Sequence, residues 1–206
     1  RVTLRGRGTL APAHNRYRSG WRVANGDPLA AVYPPQQVDD DALWAAMADA
    51  MVRNDGMLNT WVNSPPQTNE VRRAAVLIAV QHLLTDRFGL EMRLSELGAS
   101  GGLNLMADRF QLHVNGTACG ANDAVTLAPT WDGPTPPEAA PQIIARHGVD
   151  LNPLNPHDPQ DQLRLRAYLW PDQPERMART IAAIDCYEAQ VDRGDAIDWL
   201  ANQPDH

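Results

Sequence analysis

Apolar residues recur at helical spacing in the first part of the chain. The acidic cluster at residues 39–41 is followed by apolar residues about one turn apart, which predict a helix ending near Asn54. Negative charge is favourable there because the N-terminus of a helix carries partial positive charge. Residues 1–40 show little periodicity and are rich in Gly, Pro and Arg. We therefore expect an irregular arm followed by a first helix.

A longer helical pattern follows the break at Pro65-Pro66 and covers residues 69–88. Thr68 is placed to cap the N-terminus of this helix, and Gly89 is placed to end it. An apolar stripe along the helix is expected to pack into the core; it contains Val71, Ala75, Ile78 and Leu83.

Beyond residue 89, predicted strands alternate with predicted helices. Residues 90–97 alternate apolar and polar side chains, as a half-buried strand does, and residues 103–110 follow as a helix. A segment at about 111–141 resembles an insertion. The remaining predicted elements are strands at 111–114, 124–127 and 143–151, helices at 158–169 and 173–190, and a strand, an acidic turn and a helix within 190–200.

This alternation predicts an α/β fold with a Rossmann-like parallel sheet and a helical N-terminal cap. We expect residues 1–89 to form the arm and the cap, and residues 90–206 to form the sheet domain. Because the chain ends directly after a predicted helix, the sheet is expected to be incomplete at its C-terminal side. An incomplete sheet exposes an apolar edge, so self-association is expected.

The segment best suited to hold a ligand joins the first strand of the sheet domain to its helix, Leu94-Ser95-Glu96-Leu97-Gly98-Ala99-Ser100-Gly101-Gly102. A turn with almost no side chains lets a ligand approach the backbone closely, beside the start of a helix. The dinucleotide fingerprint G-x-G-x-x-G fits poorly here, because Ser100 and Leu103 stand at its second and third glycine positions.

A nucleophile elbow, G-x-S-x-G, fits residues 98–102 literally, with Ser100 as the nucleophile. Two features oppose this hydrolase. The region before the turn is mostly helical and lacks an oxyanion-loop signature, and Glu96 stands where an elbow strand is usually apolar. The other members of a triad would be His157 or His206 as the base, oriented by Asp150, Asp158 or Asp195.

A third pattern, in which an apolar strand and an acidic residue precede Gly-x-Ser-Gly-Gly, resembles motif I of class I S-adenosylmethionine-dependent methyltransferases. In those enzymes the glycine loop lies under the amino-acid part of the cofactor, and the acidic residue supports that end of the site. The resemblance places five residues in a site for S-adenosylmethionine: Glu96, Gly98, Ala99, Ser100 and Gly101.

Two later carboxylates come in the order that this resemblance implies. Asp150 stands where an acidic residue binds the ribose hydroxyls, and a carboxylate can accept from both. Asp195 and Ala196 match the third-strand motif that contacts adenine. Asp150 lies far beyond the usual ~20 residues after the loop, so the insertion must be looped out. A surface turn or a helix cap is the alternative role of each carboxylate.

Three stretches of the chain resemble signatures of a bacterial family, domain of unknown function 2332: PPQTNEV at 65–71, ELGASGGLNL at 96–105 and YLWPDQ at 168–173. The resemblance covers nearly all of residues 30–206. It implies that family members continue past this chain with a strand and a tryptophan-containing helix.

The same resemblance suggests ligand or cap contacts for Asn69, Glu70 and Arg73, which lie in a signature at a helix start. Arg73 could pair with Glu70 one turn earlier or with the carboxylate of a cofactor. The alternative for these three residues is a helix cap with a local ion pair.

Composition limits the partners. A net charge of −7 disfavours nucleic acid, which needs clustered positive charge. No apolar run approaches the ~18 residues of a membrane helix. Cys119 and Cys186 lie far apart with no C-x-x-C pair, which is typical of reduced thiols in a cytoplasmic protein. The six histidines are scattered, so no metal site is predicted.

We therefore expect a methyltransferase-like protein that binds S-adenosylmethionine and methylates a small molecule, with no catalytic residue identified. Two alternatives stay open. One is a serine hydrolase that uses Ser100. The other is a non-catalytic module that keeps the fold, and its ligand, as a sensor or scaffold.

Overall fold

The computed structural model describes residues 28–33, 36–63, 65–120, 124–170 and 173–203. The chain forms two compact units. Of the described residues, the first unit comprises those up to residue 68 and those within 159–177, and the second comprises those within 69–158 and those after 177. The domain boundaries expected from the sequence stay a prediction.

The described residues form seven α-helices, two 3-10 helices and six strands. The α-helices are α1 (Pro28–Val32), α2 (Asp40–Arg53), α3 (Asp55–Val62), α4 (Ala74–Phe88), α5 (Pro159–Ala167), α6 (Pro174–Asp185) and α7 (Ala196–Ala201). The 3-10 helices are Val71–Arg73 and Leu103–Arg109. The strands are β1 (Met92–Leu97), β2 (Gln111–Val114), β3 (Thr117–Cys119), β4 (Thr126–Leu127), β5 (Ile143–Asp150) and β6 (Gln190–Arg193).

Helix α2 confirms the first predicted helix, and the acidic cluster begins it. The side chain of Asp39 caps α2 by accepting a hydrogen bond from the N–H of Ala42 at 2.8 Å. Two further carboxylates lie in the first turn, where the helix dipole favours them. A small buried cluster holds α1 and α2 together; it contains Leu29, Tyr33, Met47 and Ala50.

The predicted helix over 69–88 begins later than expected. Residues 71–73 form a 3-10 turn, and α4 follows it and ends at Phe88. Gly89 terminates the helix with a left-handed φ of +62°, as predicted. The prediction that Thr68 caps this helix is wrong. The side chain of Glu70 is the cap, because it accepts a hydrogen bond from the N–H of Arg72 at 3.1 Å.

The prediction that Leu83 belongs to the buried stripe is also wrong, because its side chain is 54 % exposed. Val71, Ala75 and Ile78 are buried as predicted. Helix α4 is apolar around most of its circumference, so spacing alone cannot select the buried face. Its exposed apolar residues are Val76, Leu77, Val80, Leu83, Leu84 and Phe88.

A three-stranded parallel sheet in the order β1-β5-β6 confirms the mixed α/β fold. The pairing sets Glu96 opposite Gly148, and Gly148 opposite Val191. Because all three strands run in the same direction, their carboxyl ends lie side by side at one edge. The loops after β1, β5 and β6 meet at this carboxyl edge.

The predicted insertion contains a second, separate sheet. Strand β2 pairs antiparallel with β3 and parallel with β4, in the order β3-β2-β4. The predicted strand at 124–127 is reduced to β4, and β3 was not predicted because it is only three residues long. The parallel sheet therefore passes from β1 to β5 without these strands, as the assignment of Asp150 requires.

Three properties of the described residues bear on function. None of their helices combines the length and the apolar character needed to cross a bilayer. Cys119 and Cys186 are both free thiols. No group of three or more His, Cys, Asp or Glu side chains among these residues is arranged to hold a metal ion.

Candidate functional site at the carboxyl edge of the parallel sheet

The glycine-rich loop after β1 crosses over the end of β5. The N–H groups of Gly98 and Ala99 both donate to the carbonyl oxygen of Val149, at 2.9 and 3.1 Å. The N–H of Gly194, which follows β6, donates to the carbonyl oxygen of Asp150 at 3.0 Å. These bonds bring together the ends of the three strands on which Glu96, Asp150 and Asp195 were predicted to act.

Asp150 holds the loop through its carboxylate. Its Oδ2 accepts from the N–H of Ser100 at 2.8 Å, and its Oδ1 accepts from the N–H of Asn152 at 2.8 Å. Both carboxylate oxygens of Asp150 therefore accept hydrogen bonds from backbone N–H groups beside the loop. Ser100 adopts a left-handed φ of +54°, an uncommon conformation for a residue with a side chain.

Asn69 fastens the loop from the other side. Its buried side chain donates from Nδ2 to the carbonyl oxygen of Ala99 at 3.4 Å and accepts at Oδ1 from the N–H of Leu103 at 3.3 Å. Both partners belong to the chain segment that bounds the turn. Asn69 therefore positions the loop, and its predicted contact with a ligand stays a prediction.

Replacing Asn69 with alanine is expected to lower the free energy of unfolding by about 1–3 kcal/mol. The reason is that the carbonyl of Ala99 and the N–H of Leu103 would lose a buried partner. Urea denaturation followed by circular dichroism measures the loss. Asn59→Ala is the matched control, since Asn59 is exposed. Equal losses in the two variants would show that Asn69 does not hold the loop.

Glu96, the last-but-one residue of β1, is a carboxyl group in an unusual state. Burial raises its pKa from 4.5 to about 7, against the opposing effects of the Arg73 guanidinium and of a hydrogen bond from Asn104. The nearby carboxylate of Asp150 adds to the rise. With this pKa, Glu96 is partly protonated near neutral pH. A cation bound beside it would favour the ionised form.

Three buried polar atoms around the loop lack hydrogen-bond partners within the described part of the chain. They are Oε2 of Glu96, Oγ of Ser100 and Oδ1 of Asn104. Buried polar atoms are normally paired, so these three atoms are candidates for contact with a bound molecule. The carboxylate and amide oxygens accept hydrogen bonds, so the ligand that satisfies them is a donor.

The donors of the loop are mostly occupied. The N–H groups of Gly98, Ala99 and Ser100 are engaged as described above, and that of Gly102 donates to the carbonyl oxygen of Ala99 at 2.7 Å. A phosphate needs several backbone N–H groups directed at it. This loop therefore offers mainly hydrogen-bond acceptors to a ligand. Acceptors suit a positively charged or hydroxyl-bearing group better than a phosphate.

Tyr187 and Asn104 belong to the site but were not predicted from the sequence. A side chain at Gly102 would lie 3.2 Å from the hydroxyl of Tyr187, so the two residues are in close contact. Burial, and then the charge of Glu96, raise the pKa of Tyr187 to about 12. The ring of His157 packs edge-on against Tyr187, with the ring centres 5.5 Å apart. Tyr187 lies far from the loop in sequence, and no local pattern indicates it.

Asp195 caps α7. Its Oδ1 accepts from the N–H groups of Ile197 and Asp198 at 2.8 and 3.4 Å, and Ala196 is the first residue of the helix. The indole of Trp199 anchors α7 by donating to Asp192 on β6 at 3.1 Å. The capping alternative is thus observed, and a contact of Asp195 or Ala196 with adenine stays a prediction.

Glu70 and Arg73 differ in what they contribute. The Glu70 carboxylate caps the 3-10 turn. Arg73 is exposed, yet its charge acts on the half-buried Glu96 by lowering its pKa. Of the two, Arg73 is therefore the residue whose charge acts on the loop.

The hydrolase alternative receives one favourable and one unfavourable observation. The left-handed φ of Ser100 is a feature that an elbow shares. However, Oγ of Ser100 has no hydrogen-bond partner among the described residues, whereas a triad needs a base in contact with it. His206, one of the two predicted bases, lies outside the described residues.

Comparison with protein families matches residues 17–206 to a family described as "Uncharacterized protein conserved in bacteria (DUF2332)". The chain belongs to this bacterial family. Comparisons with curated proteins and with solved structures gave no match.

The three stretches that resemble signatures of this family are joined by hydrogen bonds. Asn69 in the first stretch bonds to Ala99 and Leu103 in the second. The hydroxyl of Tyr168 in the third stretch donates to the carbonyl oxygen of Pro65 in the first, at 3.1 Å. Pro171 and Asp172 of the third stretch lie outside the described residues.

Proposed function

We propose that this chain binds S-adenosylmethionine across the carboxyl edge of a Rossmann-like sheet and transfers its methyl group to a small molecule. The observation that carries the proposal is the cluster of unpaired acceptors around the glycine loop, beside the carboxylate of Asp150 on the neighbouring strand. In open α/β sheets, ligands bind outside the carboxyl ends of the strands.

We assign each part of this cofactor to a group near the carboxyl edge of the sheet. Glu96 would accept from the α-ammonium group, and the exposed guanidinium of Arg73 would hold the α-carboxylate. The backbone of Gly98, Ala99, Ser100 and Gly101 would lie under the amino-acid part. Asp150 would accept from the ribose hydroxyls, and the start of α7 at Asp195 and Ala196 would lie beside adenine.

The electrostatics of the loop favour this cofactor over a dinucleotide. A pyrophosphate would find most N–H groups of the loop already engaged, and the carboxyl groups of Glu96 and Asp150 close by. An ammonium group reverses both objections, because it donates three hydrogen bonds and carries positive charge. The glycine-rich turn therefore supports an amino-acid end rather than a phosphate.

When bound, S-adenosylmethionine supplies a methyl group activated by its positively charged sulfur. The protein's contribution to such a transfer is mainly to orient the two reactants and to exclude water. Glu96 would give up its proton as the ammonium group binds, and Asp150 would keep the loop in its left-handed conformation. The methyl acceptor would be a small molecule rather than nucleic acid, because the chain carries a net charge of −7. A cytoplasmic location and self-association stay predictions.

Calorimetric titration with S-adenosylhomocysteine tests the proposal, with NAD as the control ligand. We expect micromolar binding of S-adenosylhomocysteine, no heat with NAD, and at least about a tenfold loss of affinity in Asp150→Ala. Asp132→Ala, a change at an exposed carboxylate, should bind like the parent chain. Absence of heat from a folded sample, or tighter binding of NAD, would contradict the proposal.

A serine hydrolase using Ser100 is the second candidate, and the left-handed backbone of that residue is what favours it. A fluorophosphonate probe distinguishes it from the first. Labelling that disappears in Ser100→Ala would support the hydrolase. We expect no labelling, because Oγ of Ser100 lacks a base among the described residues.

A further inference from the structure

A cavity lies in the same unit as the parallel sheet, between α4 and the small sheet of the insertion. Its volume is about 340 Å³, within the range of pockets that hold small molecules. Its lining includes Gln81 and His82 from α4, Cys119 from β3 and Glu138 from the loop before β5. Ile78 and Ala118 are among its apolar contacts.

Two buried side chains at this cavity have polar atoms without partners in the described part of the chain. Gln81 is 5 % exposed and His82 is 6 % exposed, and the unpaired atoms are Oε1 of Gln81 and Nε2 of His82. Leaving such atoms unpaired costs about 1–3 kcal/mol each. Two such atoms beside one cavity indicate a ligand that completes their hydrogen bonds.

Both unpaired atoms are acceptors. Nδ1 of His82 lies 3.0 Å from the carbonyl oxygen of Pro137. A carbonyl oxygen only accepts, so Nδ1 must carry the hydrogen, and Nε2 of the neutral ring is left with a lone pair. Oε1 of Gln81 is an acceptor by its chemistry. A ligand that satisfied both atoms would donate two hydrogen bonds.

The charge at the cavity is negative. Asp108 also lines it, but the guanidinium of Arg146 holds both of its carboxylate oxygens. The exposed Glu138 carboxylate is part of the lining and, after burial itself, raises the pKa of the Cys119 thiol. A donor that is also a cation therefore fits best.

We propose that this cavity is a second ligand site, independent of the cofactor site, for a small primary amine with a short aliphatic chain. The ammonium group donates to Oε1 of Gln81 and Nε2 of His82 and faces the charge of Glu138. The aliphatic part packs on Ile78 and Ala118. A neutral amide satisfies the acceptors without the charge, and a carboxylate is repelled.

Nuclear magnetic resonance titration of the isotope-labelled full chain with butylammonium tests this site, with butyrate and butyramide as comparison ligands. Because so small a ligand gains limited binding energy, millimolar affinity is expected. The amide signals of Ile78, Cys119 and Gly120 should shift and saturate with butylammonium. Butyrate should produce no saturable shift, and butyramide should bind more weakly than the amine.

Two variants separate the proposal from non-specific binding. Gln81→Met keeps the shape of the side chain but removes the acceptor, and His82→Asn keeps a donor toward Pro137 while removing Nε2. Each should weaken butylammonium binding about tenfold, whereas Gln160→Met on the exposed surface of α5 should leave it unchanged. Equal binding of butylammonium and butyrate, or unchanged affinity in either folded cavity variant, would overturn the proposal.

Discussion

Replacing Gly102 with alanine is expected to lower the free energy of unfolding by about 2–5 kcal/mol, a large part of a typical total. A methyl group at this position would lie 2.7 Å from Cγ2 of Val191 and 3.2 Å from the hydroxyl of Tyr187. The residue also has a φ of +67°, which costs a residue with a side chain about 1–2 kcal/mol. Urea denaturation followed by circular dichroism gives the loss directly.

Gly98→Ala is the matched control for this prediction. Gly98 has the same φ of +67°, but nothing lies within 4 Å of the position that a Cβ would occupy. Its loss should therefore be only the conformational part, about 1–2 kcal/mol. Equal losses of stability in the two variants would show that the close approach of β6 to Gly102 does not add to the cost of a side chain there. If the open space above Gly98 is where the cofactor lies, Gly98→Ala should still weaken binding of S-adenosylhomocysteine.

Replacing Glu96 with glutamine is expected to stabilise the chain by about 1–3 kcal/mol at about pH 7.5. The folded pKa of about 7 exceeds the unfolded value of 4.5, so the folded state holds the extra proton between these values. The parent chain therefore loses stability as the pH rises through this window, and glutamine, which does not ionise, removes that loss. Below about pH 4.5 the two chains should have equal stability. Denaturation at several pH values measures the difference.

The same substitution should have the opposite effect on the ligand. In our proposal the negative charge of Glu96 would meet the α-ammonium group, and glutamine cannot carry that charge. Affinity for S-adenosylhomocysteine should therefore fall about 10–100-fold at about pH 7.5. In the parent chain, affinity should rise between about pH 5.5 and about pH 7.5, as Glu96 becomes easier to ionise. In Glu96→Gln, affinity should hardly change over this range.

Glu91→Gln is the control for both measurements, because Glu91 is exposed just before β1. It should change neither the stability profile nor the affinity. A Glu96→Gln chain that is more stable and still binds S-adenosylhomocysteine normally would support the raised pKa of Glu96. It would, however, contradict the proposed contact of Glu96 with the cofactor.

The parallel sheet could be predicted because its signals are local. Alternation over β1, a turn of small residues after it, and acidic residues at the end of β5 and after β6 all lie within short windows of sequence. The buried face of α4 could not be predicted, because apolar residues surround the helix and spacing does not choose between them. Likewise, periodicity does not distinguish an α-helix from the 3-10 turns of residues 103–109.

The candidate site shows the same division between local and distant signals. Glu96 and the glycines stand out in the sequence because they form one motif. Asn69 was singled out in the sequence, but its hydrogen bond to the loop depends on a partner 30 residues away. Tyr187 contacts Gly102 only because β6 and the loop meet in three dimensions. Contacts of this kind arise from the sheet order, which the sequence pattern does not contain.

A crystal structure of the chain grown with S-adenosylhomocysteine at about pH 7.5, where Glu96 can ionise, tests the central claim most directly. Our account predicts the α-ammonium group within hydrogen-bond distance of the Glu96 carboxylate, and the ribose hydroxyls at Asp150. A ligand bound elsewhere on the chain, or bound at the sheet edge with its amino-acid part away from Glu96, would contradict it.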